Sequence, residues 1–311
     1  MGLIGRMGMN TRNLRFRSNR VRDILALYHE ELDGMYGSCE VSAFGEMLFE
    51  AFLGWDRVRL LTSREQTIDQ SDLLRFHWAL EDLKRHRPIQ HIIGHVDFCG
   101  CRIEVSPDVL IPRPETEEMV EWIVGSGQWV VGSILDLCTG SGCIAIALKK
   151  AFPTAEVTAV DISPAAIETA RLNAESNGVE VRFVEGDVLD GVNGSYGLIV
   201  SNPPYVMDSE RAQMQPNVLD YDPALALFVP DDDPLRFYHA IASIAQQHLS
   251  TEGVLVVEIN ESLAEETCAL LRDNGLYPTL HIDFRGKARW ISATQTINRQ
   301  PWECSTTPTA P

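Results

Sequence analysis

From residue 133 onward, short apolar runs alternate with helical patterns, and this alternation leaves few folds open to the chain. The predicted strands are 133–138, 156–161, 181–184, 196–201, 253–259, 279–284 and 288–293. The predicted helices between and after them are 143–151, 163–177, 234–250 and 261–274. Elements in this order predict an α/β fold, with a mostly parallel sheet that helices cover on both faces.

The part of the chain before this alternation shows helical patterns without strands. Apolar residues recur at the spacing of one helix face at Val21, Ile24, Leu25, Tyr28 and Leu32. Similar patterns occur at 44–53 and 71–85. A small all-helical domain is therefore predicted over residues 20–87.

The remaining boundaries follow from local patterns. Residues 88–115 alternate apolar and polar side chains around two glycines, which predicts a β-hairpin linker. The α/β domain is then expected to span 116–295. A leader at 1–19 and a tail at 296–311 are expected to be disordered.

Composition restricts the partners and the compartment. The formal net charge is −18, although the first 22 residues hold six arginines and no acid. An acidic body repels a phosphate backbone, so no direct nucleic-acid partner is expected. The chain has no run of about 18 apolar residues, so no membrane span is expected. Its seven scattered cysteines favour free thiols in a reducing cytoplasm over a metal site. The protein is also expected to be a monomer.

The predicted strand 196–201 runs into the sequence Asn-Pro-Pro-Tyr at Asn202–Tyr205. Consecutive prolines lack N–H donors and fix φ, so they cannot extend a central strand, and the chain must leave the sheet. It leaves with a stiff backbone, unpaired carbonyls and one side-chain amide, at the strand end where open α/β sheets bind ligands. Such acceptors suit a substrate –NH2 group, although a plain strand-ending turn would have the same residues.

The turn after the first strand of the α/β domain has small residues that let a ligand approach the backbone. A phosphate-binding P-loop would need a lysine after the glycines, and a dinucleotide fingerprint would need glycine at Cys138. Neither is present. The residues of this candidate cofactor turn are Cys138, Thr139, Gly140, Ser141 and Gly142.

The next two predicted strands lead to carboxylates. Asp161 follows the turn by about 20 residues, where an acid can accept hydrogen bonds from both ribose hydroxyls of a nucleoside cofactor. Asp187 can accept one from an adenine amino group. The alternative is that both are solvated turn acids. A cofactor held by ribose and adenine, beside a loop that orients an amine, resembles S-adenosylmethionine more than NAD.

The order of these features resembles the class I methyltransferases that modify exocyclic or amide nitrogens. Further segments make the resemblance closer, namely Pro88–Gly94, Phe98 with Gly100, Val109–Glu117, Asp136–Ala147 and Ser201–Tyr205. Over roughly residues 20–293 the chain is similar to the peptide chain release factor glutamine methyltransferases. Leu110–Glu117 and the helical domain are specific to that family, whereas Asn-Pro-Pro-Tyr is shared with DNA amino-methyltransferases.

The resemblance implies a Rossmann-like, seven-stranded methyltransferase domain, a helical substrate-recognition domain and a hairpin linker. It implies methyl transfer from S-adenosyl-L-methionine to the side-chain amide of the glutamine in the Gly-Gly-Gln motif of release factors, without a metal. The cofactor-binding residues would be Cys138, Thr139, Gly140, Ser141, Gly142, Asp161, Asp187, Val188 and Asn202. The catalytic residues, which would hold the glutamine, are Asn202, Pro203, Pro204 and Tyr205.

An amide nitrogen is a poor nucleophile because its lone pair is delocalised into the carbonyl. We expect the Asn202 side-chain oxygen and the Pro203 carbonyl to accept hydrogen bonds from its two N–H groups. These hydrogen bonds favour a tetrahedral nitrogen in the transition state. Tyr205 is expected to pack over the amide and exclude water. The alkylated nitrogen becomes acidic and can lose its proton to water, so no strong general base is required.

Several positions depart from the family pattern. Cys138 stands where glycine is common, and Val188 stands where an aromatic residue often lies near adenine. Both changes are expected to weaken cofactor binding. Residues 229–234 replace a Gly-Gly-x-Asp-Gly-Leu run, and Asn260 stands where glycine is usual. None of these changes removes a group that the chemistry needs.

Two other functions compete with this one. Methylation of adenine or cytosine in nucleic acid would need a flipped base, a basic channel and a target-recognition insert, and the acidic chain shows neither channel nor insert. A non-catalytic cofactor-binding module would not need Asn202–Tyr205 or both carboxylates. Arg113 and Glu115 belong either to a plain helix-starting loop or to a loop that closes over the site and places the helical domain.

Overall fold

The computed structural model describes residues 16–126 and 132–296. Its chain divides into two compact units, with the boundary between Ile93 and Gly94. The predicted disordered leader and tail lie outside the described residues, except for residues 16–19 and 296. Within the leader, the side-chain amide of Asn19 donates to the carbonyl of Ile68 at 2.7 Å.

The first unit is all helical, as predicted. Its core is aromatic and aliphatic, and the buried Tyr28 hydroxyl donates to the Phe76 carbonyl at 2.6 Å. Gly37, at φ +82°, separates the first two helices, so the second begins six residues before its predicted start. The helices are α1 Val21–Tyr36, α2 Ser38–Leu53, α3 Arg57–Thr62, α4 Gln70–Leu83 and α5 Ile89–Ile93.

The second unit opens with the predicted hairpin, formed by the antiparallel strands β1 His95–Phe98 and β2 Cys101–Glu104. The hairpin is hydrogen-bonded to a helix of the same unit. The side chain of Asn173 bonds the backbone N–H and carbonyl of Glu104, at 2.8 and 3.0 Å. Pro114 then begins α6 (Pro114–Gly125), and acids in its first turn favour the positive end of the helix dipole.

A seven-stranded sheet forms the centre of this unit, and all seven predicted strands are present. The strands are β3 Ser133–Leu137, β4 Glu156–Asp161, β5 Arg182–Glu185, β6 Tyr196–Ser201, β9 Leu249–Glu258, β10 Tyr277–Ile282 and β11 Ala288–Thr294. Their order in the sheet is β10-β11-β9-β6-β3-β4-β5, and β11 is antiparallel to both of its neighbours while the other pairs are parallel. The short strands β7 Val206–Met207 and β8 Phe228–Val229 pair separately.

Helices cover both faces of the sheet and bury it. The helices after α6 are α7 Cys143–Ala151, α8 Pro164–Ser176, α9 Pro216–Leu219, α10 Ala224–Leu227, α11 Arg236–His248 and α12 Ala264–Asp273. One hydrophobic cluster contains residues of α6, α7 and α8, and a second contains residues of α11 and α12.

This topology fixes where a ligand can bind. β4 lies on one side of β3 and β6 lies on the other. The chain therefore leaves β3 towards one edge of the sheet and leaves β6 towards the opposite edge. The carboxyl ends of two such strands are the place where open α/β sheets bind ligands. Within the described ranges, no helix is long and apolar enough to cross a membrane. The same ranges contain no group of three or more His, Cys, Asp or Glu side chains that could hold a metal ion.

Candidate functional site

A cavity of about 310 Å³ lies at the carboxyl ends of β3, β4, β5 and β6. Segments 108–110 and 223–228 also line it, together with Arg236 and Phe237 at the start of α11. The predicted site residues that line the cavity are Cys138, Gly140, Asp161, Asp187, Val188, Asn202 and Pro204. Those that do not line it are Thr139, Ser141, Gly142, Pro203 and Tyr205.

A glycine is required at positions 140 and 142 of the turn after β3 for different physical reasons. Gly140, at φ +55°, would meet nothing within 4 Å if it carried a Cβ, so it leaves open space beside the cavity. Gly142, at φ +81°, would place a Cβ 3.0 Å from the Cβ of Ala170 on α8. Gly140 therefore makes room for a ligand, and Gly142 allows a helix to pack closely.

Asp136 lies beneath the turn and is fully buried. Its Oδ2 accepts hydrogen bonds from the Thr139 hydroxyl at 2.6 Å and the Ala145 N–H at 3.2 Å. Its Oδ1 has no hydrogen-bond partner among the described residues. Burial raises the pKa of this carboxyl from 3.8 to about 7, and the two hydrogen bonds oppose that rise. Thr139 thus supports the turn from below instead of facing the cavity.

Asp161 closes the turn from the adjacent strand. Its Oδ2 accepts the Gly140 N–H at 2.8 Å, and its Oδ1 accepts the Ser163 N–H at 2.9 Å. Burial raises the pKa of this carboxyl, and the backbone donors lower it. Each carboxylate oxygen can accept a second hydrogen bond, so Asp161 retains acceptors at the cavity. This geometry fits a pair of ribose hydroxyls.

The loop after β5 forms the neighbouring wall. Asp187 Oδ1 accepts the Leu189 N–H at 2.9 Å and thereby begins a short 3-10 helix at Val188. Val188 is buried at the cavity, where it presents an aliphatic surface. A planar apolar group such as a purine would fit against it. Together with the acceptors of Asp161 and the space at Gly140, this wall makes the cavity fit S-adenosyl-L-methionine.

Cys138 adopts φ +60°, a left-handed conformation that L-residues other than Asn and Asp rarely adopt. A glycine at this position would adopt the same conformation without the strain that a Cβ brings. Burial raises the pKa of the Cys138 thiol, and the carboxylates of Asp161 and Asp136 raise it further. The thiol is therefore neutral and lines the cavity as a small apolar group.

A hydrogen-bond network holds the Asn-Pro-Pro-Tyr loop against α6 and β9. The Asn202 amide nitrogen donates to the Thr116 hydroxyl at 3.1 Å, and this hydroxyl donates to Glu258 Oε2 at 2.6 Å. The Tyr205 hydroxyl donates to Glu258 Oε1 at 2.8 Å. Burial raises the pKa of Glu258, and the two donated hydrogen bonds lower it. The side-chain oxygen of Asn202, Oδ1, accepts no hydrogen bond from another described residue.

Asn260 holds the backbone just after this network. Its side-chain nitrogen donates to the Tyr205 carbonyl at 3.1 Å and to Glu210 Oε2 at 2.9 Å. A glycine at this position could make neither bond. The departure of Asn260 from the family pattern therefore adds contacts that fix the loop.

Three of these residues, Thr116, Glu258 and Asn260, were not among the predicted site residues, and neither was Asp222. The sequence does point to Glu258, because it is an acid at the end of a predicted strand. That strand, β9, pairs with β6, and Asn202 directly follows β6. Arg113, which the sequence places in a loop before a helix start, forms an ion pair with Asp222. Nothing local in the sequence links Arg113 and Asp222, because 109 residues separate them.

Comparison with known proteins agrees with this geometry. A family model described as Methyltransferase small domain matches residues 121–219. Another, described as PrmC N-terminal domain, matches residues 30–94. Among solved structures, the hMettl16 catalytic domain in complex with MAT2A 3'UTR hairpin 6 has a TM-score of 0.51 at 16% identity. The match covers 76% of this chain and 87% of that chain, and it supports the class I methyltransferase fold alone.

Curated relatives are similar over most of their length. The chain is 40% identical to the release factor glutamine methyltransferase of Flavobacterium psychrophilum, over 87% of this chain and 98% of the relative. It is also 40% identical to the release factor glutamine methyltransferase of Bacteroides thetaiotaomicron, over 88% of this chain and 99% of the relative. At 87% and 88% of this chain, the matches include residues of both units. The chain belongs to the release factor glutamine methyltransferase family.

Proposed function

We propose that this chain transfers a methyl group from S-adenosyl-L-methionine to the side-chain amide nitrogen of the glutamine in the Gly-Gly-Gln motif of peptide chain release factors. The orientation of Asn202 carries the proposal. Its amide nitrogen is bound to Thr116, and its Oδ1 is left as an acceptor beside the cavity. An acceptor at this place suits the N–H of an amide substrate.

The cofactor residues have separate tasks in this proposal. S-adenosyl-L-methionine, when bound, supplies an activated methyl group on a sulfonium. Asp161 accepts hydrogen bonds from the ribose hydroxyls, Asp187 accepts one from the adenine amino group, and Val188 packs against the ring. Cys138–Gly142 form the turn that lets the backbone approach, and Gly140 leaves the necessary room.

The substrate amide is held by the Asn-Pro-Pro-Tyr loop. Asn202 Oδ1 and the Pro203 carbonyl accept hydrogen bonds from its two N–H groups. These bonds strengthen as positive charge develops on the nitrogen in the transition state, and they orient the nitrogen for an in-line displacement. Pro204 lines the cavity and stiffens the backbone. Tyr205 covers the amide with its ring while its hydroxyl is bound to Glu258.

The two units divide the work. Residues 20–87 recognise the release factor, 88–115 link the parts, and 116–295 carry the chemistry. Such a protein acts in translation termination in the cytoplasm, where the six described cysteines, all free, stay reduced. It works as a monomer, and its net charge of −18 disfavours direct contact with nucleic acid.

Incubation of the full chain with labelled cofactor and a purified release factor tests the proposal. Mass spectrometry of the digested release factor is expected to locate one added CH2 unit on the Gly-Gly-Gln glutamine. Parallel reactions with duplex DNA and with RNA test the competing function and are expected to remain unlabelled. Label on a nucleic acid and none on the release factor would refute the proposal.

Asn202→Ala separates the chemistry from cofactor binding. We expect turnover to fall by about a hundredfold or more, because one acceptor for the substrate amide is lost. Calorimetry should find S-adenosylhomocysteine binding mostly intact. Asn274→Ala is the matched control, since this amide bonds the Leu270 carbonyl at 2.8 Å at the end of α12. Unchanged turnover in Asn202→Ala would sink the assignment.

A further inference from the structure

A hydrogen-bond network behind the substrate-binding loop determines which end of the Asn202 side-chain amide faces the cavity. The Thr116 hydroxyl has one hydrogen, and that hydrogen is donated to Glu258 Oε2 at 2.6 Å. The Thr116 oxygen can therefore only accept from Asn202. Only the –NH2 end of an amide can donate, so Oδ1 is left as the end that is free for the cavity.

The opposite orientation of Asn202 is disfavoured by the same atoms. A flipped amide would set Oδ1 against the Thr116 oxygen, so two acceptors would face each other without a hydrogen between them. The second Glu258 oxygen accepts the Tyr205 hydroxyl at 2.8 Å, so the buried carboxylate receives a donor on each side. With an ionised Glu258, a single arrangement of hydrogens satisfies every member of the network.

We infer that Glu258 and Thr116 are positioning residues, which act through Asn202 by setting the polarity of its amide towards the methyl-accepting nitrogen. This inference rests on the proposed function for its effect on turnover. The role is distinct from substrate contact, because Glu258 and Thr116 are both buried and neither lines the cavity.

Glu258→Gln is the sharpest test because it keeps the shape of the side chain and changes only its hydrogens. The new –NH2 must donate to Thr116 or to Tyr205, so one of these hydroxyls loses its acceptor. If Thr116 reverses, Asn202 presents the wrong end to the substrate. We expect kcat to fall by about tenfold or more, with cofactor affinity and folding preserved. A purely structural role predicts unchanged kcat, since loss of a buried charge is often neutral or stabilising.

Thr116 supplies a second, independent pair of variants. Thr116→Val removes the hydroxyl and is expected to lower kcat like Glu258→Gln, whereas Thr116→Ser keeps the hydroxyl and should restore activity. Thr294→Val is the matched control. That threonine is also buried, but it pairs with Val254, four residues before Glu258 on β9, and its hydroxyl donates to the Thr296 carbonyl at 3.1 Å. Its replacement is expected to leave kcat unchanged.

A readout without turnover separates this inference from the proposed function. In protein labelled with 15N-asparagine, the Asn202 amide signal is assigned by its loss in Asn202→Ala. Its hydrogens should exchange slowly in the wild type and faster in Thr116→Val. Slow exchange in a protein that fails to methylate release factors would refute the proposed function and keep the inference. Wild-type kcat in both Glu258→Gln and Thr116→Val, or equal exchange rates, would overturn the inference.

Discussion

The guanidinium of Arg113 forms an ion pair with the carboxylate of Asp222, whose side chain is almost fully buried. The same carboxylate accepts the Ile111 N–H at 3.5 Å. Residues 108–110, shortly before Arg113, line the cavity, and so do residues 223, 225, 226 and 228, shortly after Asp222. The ion pair therefore joins two segments of the cavity wall that are distant in sequence. Both segments belong to the sheet-bearing unit.

We expect Arg113→Ala to destabilise the protein and to loosen this wall. Burial already raises the pKa of Asp222, and Arg113 opposes that rise. Removal of the arginine leaves a buried carboxylate without its partner, at a cost of roughly 2 kcal/mol of unfolding free energy, since Arg113 is itself partly exposed. The dissociation constant of S-adenosylhomocysteine should rise about tenfold, which corresponds to about 1.4 kcal/mol.

Denaturant unfolding and calorimetry check both parts of this prediction. Arg57→Ala is the matched control, because Arg57 and Glu46 form an exposed pair at 3.2 Å in the helical unit. Loss of that pair is expected to change stability by less than about 0.5 kcal/mol. If Arg113→Ala bound the cofactor product as tightly as the wild type, Arg113 would have no role in shaping the wall.

Substitution of Gly142 by alanine should mainly lower stability, whereas substitution of Gly140 by alanine should mainly weaken cofactor binding. Gly142→Ala combines φ +81° with a Cβ that lies 3.0 Å from Ala170 Cβ, so we expect a loss of roughly 3 kcal/mol. Gly140→Ala meets no atom within 4 Å, so its stability cost is limited to roughly 1 kcal/mol of backbone strain. Its methyl group would instead occupy space beside the cavity and weaken cofactor binding.

The second variant Ala170→Gly isolates the steric part of this prediction. Ala170→Gly costs stability by itself because it places a glycine inside α8. It should cost less in Gly142→Ala than in the wild type, because it removes the methyl group that the new Cβ meets and leaves the strained φ unchanged. Thermal unfolding and titration of S-adenosylhomocysteine supply the two measurements. A Gly140→Ala protein that is less stable than Gly142→Ala would contradict the assigned roles.

The seven strands could be predicted from sequence because each is a short apolar run bounded by turn residues. The carboxyl-end positions of Asp161, Asp187 and Asn202 followed directly from that order, since parallel strands bring these ends to one edge. Helices α9 and α10 were not predicted. Each has four residues, which is too short for a helical period to be recognised.

The hydrogen-bond partners at the site could not be predicted for a different reason. Thr116 and Glu258 are 142 residues apart, and their contact depends on the packing of α6 against the end of β9. Local patterns hold no information on such pairings. Tyr205 shows the same limit, because its hydroxyl is bound to Glu258 and its side chain does not line the cavity. Its role as a cover for the substrate amide stays a prediction.

The buried carboxyl of Asp136 should make stability depend on pH. Its pKa is raised from 3.8 to about 7 in the folded protein, so between about pH 4 and pH 7 the folded state holds a proton that the unfolded chain has lost. The unfolding free energy therefore falls as the pH rises through this window. The contribution of one such group is at most about 1.4 kcal/mol per pH unit and levels off above about pH 7.

Asp136→Asn tests this dependence through the slope and not through the absolute stability, because the new amide also changes the hydrogen bonds to Thr139 and Ala145. Denaturant unfolding at several values between about pH 5 and pH 7 should give a steeper decline in the wild type than in the variant. The exposed Asp273→Asn, at the end of α12, is the control and should decline like the wild type. Equal slopes in the wild type and Asp136→Asn would exclude Asp136 as the titrating group.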